Sequence, residues 1–153
     1  LVTHDQYEAM ALADHVVLLL GGVVAQAGSP ADIYDHPASV DVARFVGQAN
    51  LVEGRVDAGS VTCALGSFPS EASPGPVTVL VRPEHIVLVG DADHGVSGVV
   101  ERRNYYGHDG SLAVRTDAGS LITLRVDTAH LAPVGANVRI AAREISRVFP
   151  GGE

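Results

Sequence analysis

The amino-acid sequence predicts a mainly β chain: a small antiparallel barrel over residues 50–153, preceded by a short α/β segment over residues 1–49. Three observations carry that expectation. From residue 51 onward, short runs rich in Val, Ile and Thr recur between Gly, Pro, Ser and Asp turn signals, as in small all-β domains. Before residue 50 the texture differs, with helix-capping signatures on either side of a β-hairpin pattern. Hydrophobic residues make up 46% of the 153, enough for a core. No apolar run approaches the roughly 18 residues that a membrane-crossing helix needs.

The elements follow in order. "DQYEAMALAD" reads as a short helix in which Asp5 is the N-cap and Glu8 the capping-box carboxylate. Tyr7, Met10 and Ala11 share one face at helical spacing, so that face is expected to be buried. Val16–Leu20 ("VVLLL") reads as a buried strand, Gly21-Gly22 as a hairpin turn and "VVAQA" as the return strand. Ser29 and Pro30 supply an N-cap and a first helical residue for a helix to about Asp35. His36-Pro37 ends it, and Ser39 caps a further helix, Val40–Val46, that stops at Gly47.

The candidate strands after residue 50 are "LVEGRV", "VTCALGSF", "VTVLV", "HIVLV", "GVSGVVERRNYY", "SLAVRT", "SLITLRV" and "NVRIAAREISRVF". "DAGS" turns fall at 57–60 and 117–120. A short echo, V-x-G-x-V, links Val52–Val56 with Val96–Val100 and hints at two related half-units.

Charge and motifs exclude several chemistries. Ten basic residues, all Arg, face 18 acidic ones, and the formal charge is −8. Such a balance argues against a nucleic-acid-binding surface, which needs a basic field. With no Lys, a phosphate-binding loop of the G-x-x-x-x-G-K-[ST] type is impossible within the chain. The seven His include no H-E-x-x-H pair, and Cys63 has no C-x-x-C partner, so no metal site is expected. No G-x-S-x-G elbow is present either. "NYYGHDGS" is the most ligand-like loop of the β part, with Tyr105, His108 and Asp109 as candidate contacts. The same stretch also reads as a plain hairpin turn at Asp109-Gly110, with Tyr105 or Tyr106 in the core.

The run "VTHDQYEAMALADHVVLLLGGVVAQAGSPADIYDHPAS" resembles the end of the nucleotide-binding domain of bacterial ABC importer ATPases, from Val2 to Gly47. The T-H-D-Q-x-E-A-M-x-L-A-D string is the specific part. "VRPEHIVLV" is similar to the R-P-E motif of the accessory domain of these ATPases, an OB-like antiparallel barrel of the TOBE type. The resemblance therefore implies a remnant of an ABC ATPase domain over 1–49 and a TOBE-type, OB-like regulatory domain over 50–153.

By the same resemblance, His4 matches the switch-loop histidine that reaches the γ-phosphate of ATP. An imidazole there can donate a hydrogen bond to phosphate oxygen while its second nitrogen fixes the tautomer. The phosphate loop, signature motif and catalytic acid of the family are not in these 153 residues, so this chain is expected to be a C-terminal part that is inactive alone. ATP and Mg are expected only in an intact parent. The implied partners are a second ATPase subunit, forming a homodimer, and membrane permease subunits. The implied place is the cytoplasmic face of the cell membrane. "VARFVGQANLVEGRV", "LVRPEHIVLV" and the Y-G-H-D loop look most like the ferric-iron branch of these importers, and the polyamine, thiamine, sulfate and sugar branches share much of the same framework. An alternative expectation is that the β domain senses a small ligand, either an oxyanion or the transported solute.

Overall fold

The computed structural model describes residues 2–90 and 93–151. The chain divides into two compact units, Leu1–Ala49 and Asn50–Glu153. In the first unit α1 (Gln6–Leu12) precedes a two-stranded antiparallel hairpin of β1 (Val16–Leu20) and β2 (Val23–Gly28). Two short helices follow, α2 (Pro30–Asp35) and α3 (Val40–Val46).

Capping sets these helices. Asp5 accepts from the Glu8 N–H, Ser29 from the Asp32 N–H and Ser39 from the Val42 N–H, each satisfying an orphan donor of a first turn. Gly21 and Gly22 have φ of +59° and +81°, the mirror-image turn that matches strand twist in a two-residue hairpin. Gln26 secures the break at His36-Pro37: its Nε2 donates to the His36 carbonyl at 3.1 Å and its Oε1 accepts from the Ala38 N–H at 2.7 Å.

Leu18, Ile33 and Val42 form a small core, with Met10, Val16, Leu20, Ala25 and Val46 against it. That core corrects two expectations. Met10 packs on it, but Tyr7 is 89% exposed and Ala11 is exposed too, because no element of the unit covers that side of α1. β1 is not buried throughout. Only Leu18 is enclosed, whereas Val17 and Leu19 face solvent with Val23 and Val24 of β2. A two-stranded ribbon packed on one face buries alternate side chains whatever its composition.

The second unit contains β3 (Asn50–Asp57), β4 (Ser60–Cys63), β5 (Gly66–Pro69), β6 (Gly75–Val81), β7 (Ile86–Val89), β8 (Val96–Tyr105), β9 (Asp109–Thr116), β10 (Leu121–Asp127), β11 (Asn137–Ala142) and β12 (Arg147–Pro150). They form two five-stranded antiparallel sheets, ordered β12-β6-β3-β4-β5 and β10-β9-β8-β11-β7. The mainly β antiparallel architecture expected from the sequence is therefore present. Two of the expected strands are each divided. "VTCALGSF" folds back at Ala64-Leu65 into the β4–β5 hairpin, and Leu65 enters the core. "NVRIAAREISRVF" gives β11 to one sheet and β12 to the other. Its crossing segment is held by Arg143 N–H to the His85 carbonyl and Ser146 N–H to the Leu80 carbonyl.

One core joins the sheets: Val52, Val56, Val61, Val77, Val79 and Val81 from the first meet Ile86, Val100, Leu112, Val114, Ile122, Leu124 and Ile140 from the second. The second sheet curls, so that β7 and the 3-10 turn Pro83–His85 pack against its opposite edge, β10. Asn50 ties that edge to the first sheet. It is 6% exposed, and its Nδ2 donates to the carbonyls of Val81 and Thr123 at 3.1 and 2.8 Å. Its Oδ1 accepts from the Thr123 N–H at 2.8 Å.

The V-x-G-x-V echo falls on β3 and β8, the central strand of each sheet. A Cβ on Gly54 would lie 2.8 Å from Val79 Cγ2, and one on Gly98 would lie 2.5 Å from the Arg115 carbonyl oxygen. Both glycines admit a neighbouring strand too closely for any side chain.

Three substitutions test this architecture by urea unfolding. Asn50→Ala leaves the Thr123 peptide groups without partners and should cost about 3 kcal/mol. Gly98→Ala should also cost about 3 kcal/mol through overpacking in a central strand. Gly119→Ala, at φ +89° with nothing near its Cβ, should cost only about 1 kcal/mol from the left-handed backbone.

Candidate functional site

His4 occupies a bend immediately before α1 and is exposed. Its backbone is fixed from both sides. The Asp5 N–H donates to Thr3 Oγ1 at 3.0 Å, Thr3 Oγ1 donates to Glu8 Oε2 at 2.8 Å, and the Glu8 N–H donates to Asp5 Oδ1 at 3.1 Å. The return arm of the expected capping box is thus relayed through Thr3, since the Glu8 carboxylate meets the threonine hydroxyl and not the Asp5 N–H. The cap uses Thr3, Asp5 and Glu8, leaving the imidazole between them open to solvent.

Tyr105, His108 and Asp109 come together at the tip of the β8–β9 hairpin. The reversal lies earlier than the expected Asp109-Gly110 turn. Gly107 takes the left-handed position at φ +91°, the Tyr106 N–H donates to the Asp109 carbonyl at 2.9 Å, and Asp109 already belongs to β9. Neither tyrosine fills the core: Tyr105 is 66% exposed and Tyr106 49%. Both strands run out to the tip, so its side chains project beyond the sheet interior.

Sequence reasoning did not find the partners that organise this tip. Arg125 of β10 donates from Nε and Nη2 to Asp109 Oδ2, and its guanidinium lies 5.5 Å from the Tyr106 ring centre. The ion pair holds Arg125 above its ordinary pKa. Ser111 is buried and meets both Asn104 Nδ2 at 3.1 Å and the Tyr106 hydroxyl at 3.3 Å. His108 Nε2 is 3.4 Å from Asp109 Oδ1, without hydrogen-bond geometry. Strand pairing places Ser111 opposite Arg125 and Asp109 opposite Asp127, a register that cannot be read from local sequence.

A separate open cleft of about 580 Å³ lies on β7, β8 and β11, lined by Leu88, Val89, Ser97, Asp117, Asn137 and Arg139 among others. It shares no lining residue with the hairpin tip. The Arg139 guanidinium donates to Ser97 Oγ and to the carbonyls of Asp93 and Gly95. Among the described residues, no group of three or more His, Cys, Asp and Glu side chains could hold a metal ion. Cys63 is half-buried, and burial pushes its thiol pKa up.

At the adjoining 3-10 turn Thr128–His130, Asp127 Oδ1 meets His130 Nδ1 at 2.7 Å. The hydrogen bond from His130 lowers the Asp127 carboxyl pKa, and its attractive charge and two backbone N–H donors lower it further. Any stability from this pair is present above the unfolded Asp pKa and lost as pH falls through the depressed folded value. A carboxyl-detected NMR titration should find Asp127 below the ordinary aspartate range, and His130→Ala should return it toward that range.

The sequence also matches known proteins. Residues 79–147 match the family model described as "TOBE domain". The chain is 35% identical over 149 residues to the Fe(3+) ions import ATP-binding protein FbpC of Pseudomonas fluorescens, an alignment covering 92% of this chain and 42% of that protein. It is 40% identical over 121 residues to Fe(3+) ions import ATP-binding protein FbpC 2 of Rhodococcus jostii, covering 78% and 35%. It is 36% identical over 160 residues to the spermidine/putrescine import ATP-binding protein PotA of Ruegeria pomeroyi, covering 98% and 43%. The chain thus spans less than half the length of each relative. A TOBE domain lies within the β-rich unit, and most of the chain is similar in sequence to ABC importer ATP-binding proteins.

Proposed function

We propose that the chain is the C-terminal, regulatory and dimer-stabilising portion of the ATP-hydrolysing subunit of an ABC solute importer. The observation that carries this reading is the similarity to import ATP-binding proteins, which in two cases covers 92% and 98% of the chain and so includes both the helix-and-hairpin unit and the residues that match the TOBE model. On this reading residues 1–49 are the end of the nucleotide-binding domain and residues 50–153 the accessory domain. His4 is then the switch histidine, donating a hydrogen bond to the γ-phosphate. Such a donor contributes positioning and charge stabilisation at the transferring phosphoryl group, with no covalent step of its own. The Thr3–Asp5–Glu8 cap supports the assignment, because it fixes the backbone of His4 while leaving the ring free to reach a ligand.

The parent would bind ATP with Mg, pair with a second copy of itself and dock on permease subunits at the cytoplasmic face of the membrane. No helix among the described residues is long and apolar enough to cross a membrane. Ferric iron is the solute we favour, from the names of two of the three relatives; the third carries a polyamine name.

In a polypeptide that also carries a phosphate loop, signature motif and catalytic acid, His4→Ala should lower kcat for ATP hydrolysis on the order of 100-fold, with ATP affinity little changed. An unchanged kcat would remove His4 from the switch role. The solute is tested by radiolabelled uptake in cells lacking the gene: loss of ferric-iron uptake with polyamine uptake intact is the expected result, and the reverse pattern overturns the iron reading.

A further inference from the structure

The cleft on β7, β8 and β11 lies within the β-rich unit and takes no part in the transport reading. Strand register sets its walls. On β11, Arg139 lies opposite Val89 of β7 on one side and Ser97 of β8 on the other. Cross-strand partners share a face of the sheet, so these three side chains stand in one row. Leu88, Val89 and Val138 are half-buried and give the cleft an apolar wall.

The two charged residues of the cleft are both held to Ser97. The Arg139 guanidinium donates to Ser97 Oγ at 3.1 Å, and the Asp117 N–H donates to the Ser97 carbonyl at 3.1 Å. The two side chains nevertheless form no ion pair with each other, and neither pairs with any other described residue. Arg139 directs Nη2 to the carbonyls of Asp93 and Gly95, and its Nε is enclosed. One Nη1 N–H is left for a ligand. The Asp93 carboxylate is turned to the Gly90 N–H at 3.1 Å, and Arg115, on the neighbouring strand β9, is taken by Glu101. The cleft therefore presents one cation and one anion, unmatched to each other, beside an apolar wall.

We propose that this cleft binds a small zwitterion with an aliphatic side chain, an α-amino acid. Its carboxylate meets the Arg139 Nη1 N–H, its ammonium meets Asp117, and its side chain lies along Leu88, Val89 and Val138. The balance of charge selects that class of ligand. A simple anion drawn to Arg139 would face Asp117, and a simple cation drawn to Asp117 would face Arg139. A molecule with both charges on neighbouring groups satisfies each. The volume of about 580 Å³ admits such a molecule and lies within the range of small-ligand sites. The cleft is open, so water competes for both charges and millimolar dissociation constants are expected. The inference is independent of the transport reading, because it uses only the geometry of the β-rich unit.

The test is an amide chemical-shift titration of the isotope-labelled 153-residue chain with L-leucine, isocaproate and isoamylamine. These probes share one branched side chain and differ only in which charges they carry. Saturable shifts at residues 88–90, 97–98, 117 and 137–139 are expected with leucine, with binding about fivefold or more weaker for either single-charge analogue. Asp117→Asn removes the ammonium partner and the repulsion of a carboxylate together. It should weaken leucine about fivefold and bring isocaproate level with it. Arg139→Gln should abolish leucine binding. Because Arg139 also holds the turn at Gly95, the exposed Asp117 decides the matter if that variant is disturbed. No saturation by about 50 mM leucine, an analogue that binds as tightly as leucine, shifts centred elsewhere, or unchanged leucine binding by Asp117→Asn would overturn the proposal.

Discussion

The β-rich unit depends on one side chain more than on any other. Asn50 presents an amide to Thr123 as a neighbouring strand would, donating to its carbonyl and accepting from its N–H, while also donating to Val81. Without it, β10 would be a bare edge lying over the core. A buried amide that satisfies three backbone groups also specifies register, because shifting β10 by one residue would take both Thr123 groups away from it. The curl that brings β7 and Pro83–His85 onto β10 and the meeting of the two sheets both run through this point.

The glycines of the V-x-G-x-V echo have a related role. Gly54 and Gly98 sit in the third strand of five-stranded sheets, where the backbone must accept a close neighbour. The recurrence of one short pattern at equivalent places in two sheets reflects a shared steric demand. The large aliphatic side chains on both sides then fill a core that tolerates little change in volume.

The first unit is built by other means. Its core is small, and its helices, of six or seven residues, are too short to be stable by propensity alone. Side-chain caps at Asp5, Ser29 and Ser39, together with the Gln26 brace, make up part of that deficit. They leave Tyr7, Val17, Leu19, Val23 and Val24 as exposed apolar surface.

Local chemistry was determined by the sequence itself. Each helix start followed from an N-cap residue, the Gly21-Gly22 hairpin from its two left-handed glycines, and the mainly β character of residues 50–153 from alternation and turn residues. Their causes lie within a few residues of chain, so no distant partner was needed to read them. The position of His4 before a capped helix was legible for the same reason. Tertiary structure alone decided what depends on neighbours remote in sequence. It decided which face of β1 is buried, that Tyr105 and Tyr106 stand outside the core, and that "NVRIAAREISRVF" divides between two sheets. It also brought Arg125 to Asp109 and Asn50 to Thr123, pairs 16 and 73 residues apart. An apolar run or a loop motif records what a residue is, but burial and pairing are properties of what the fold places against it.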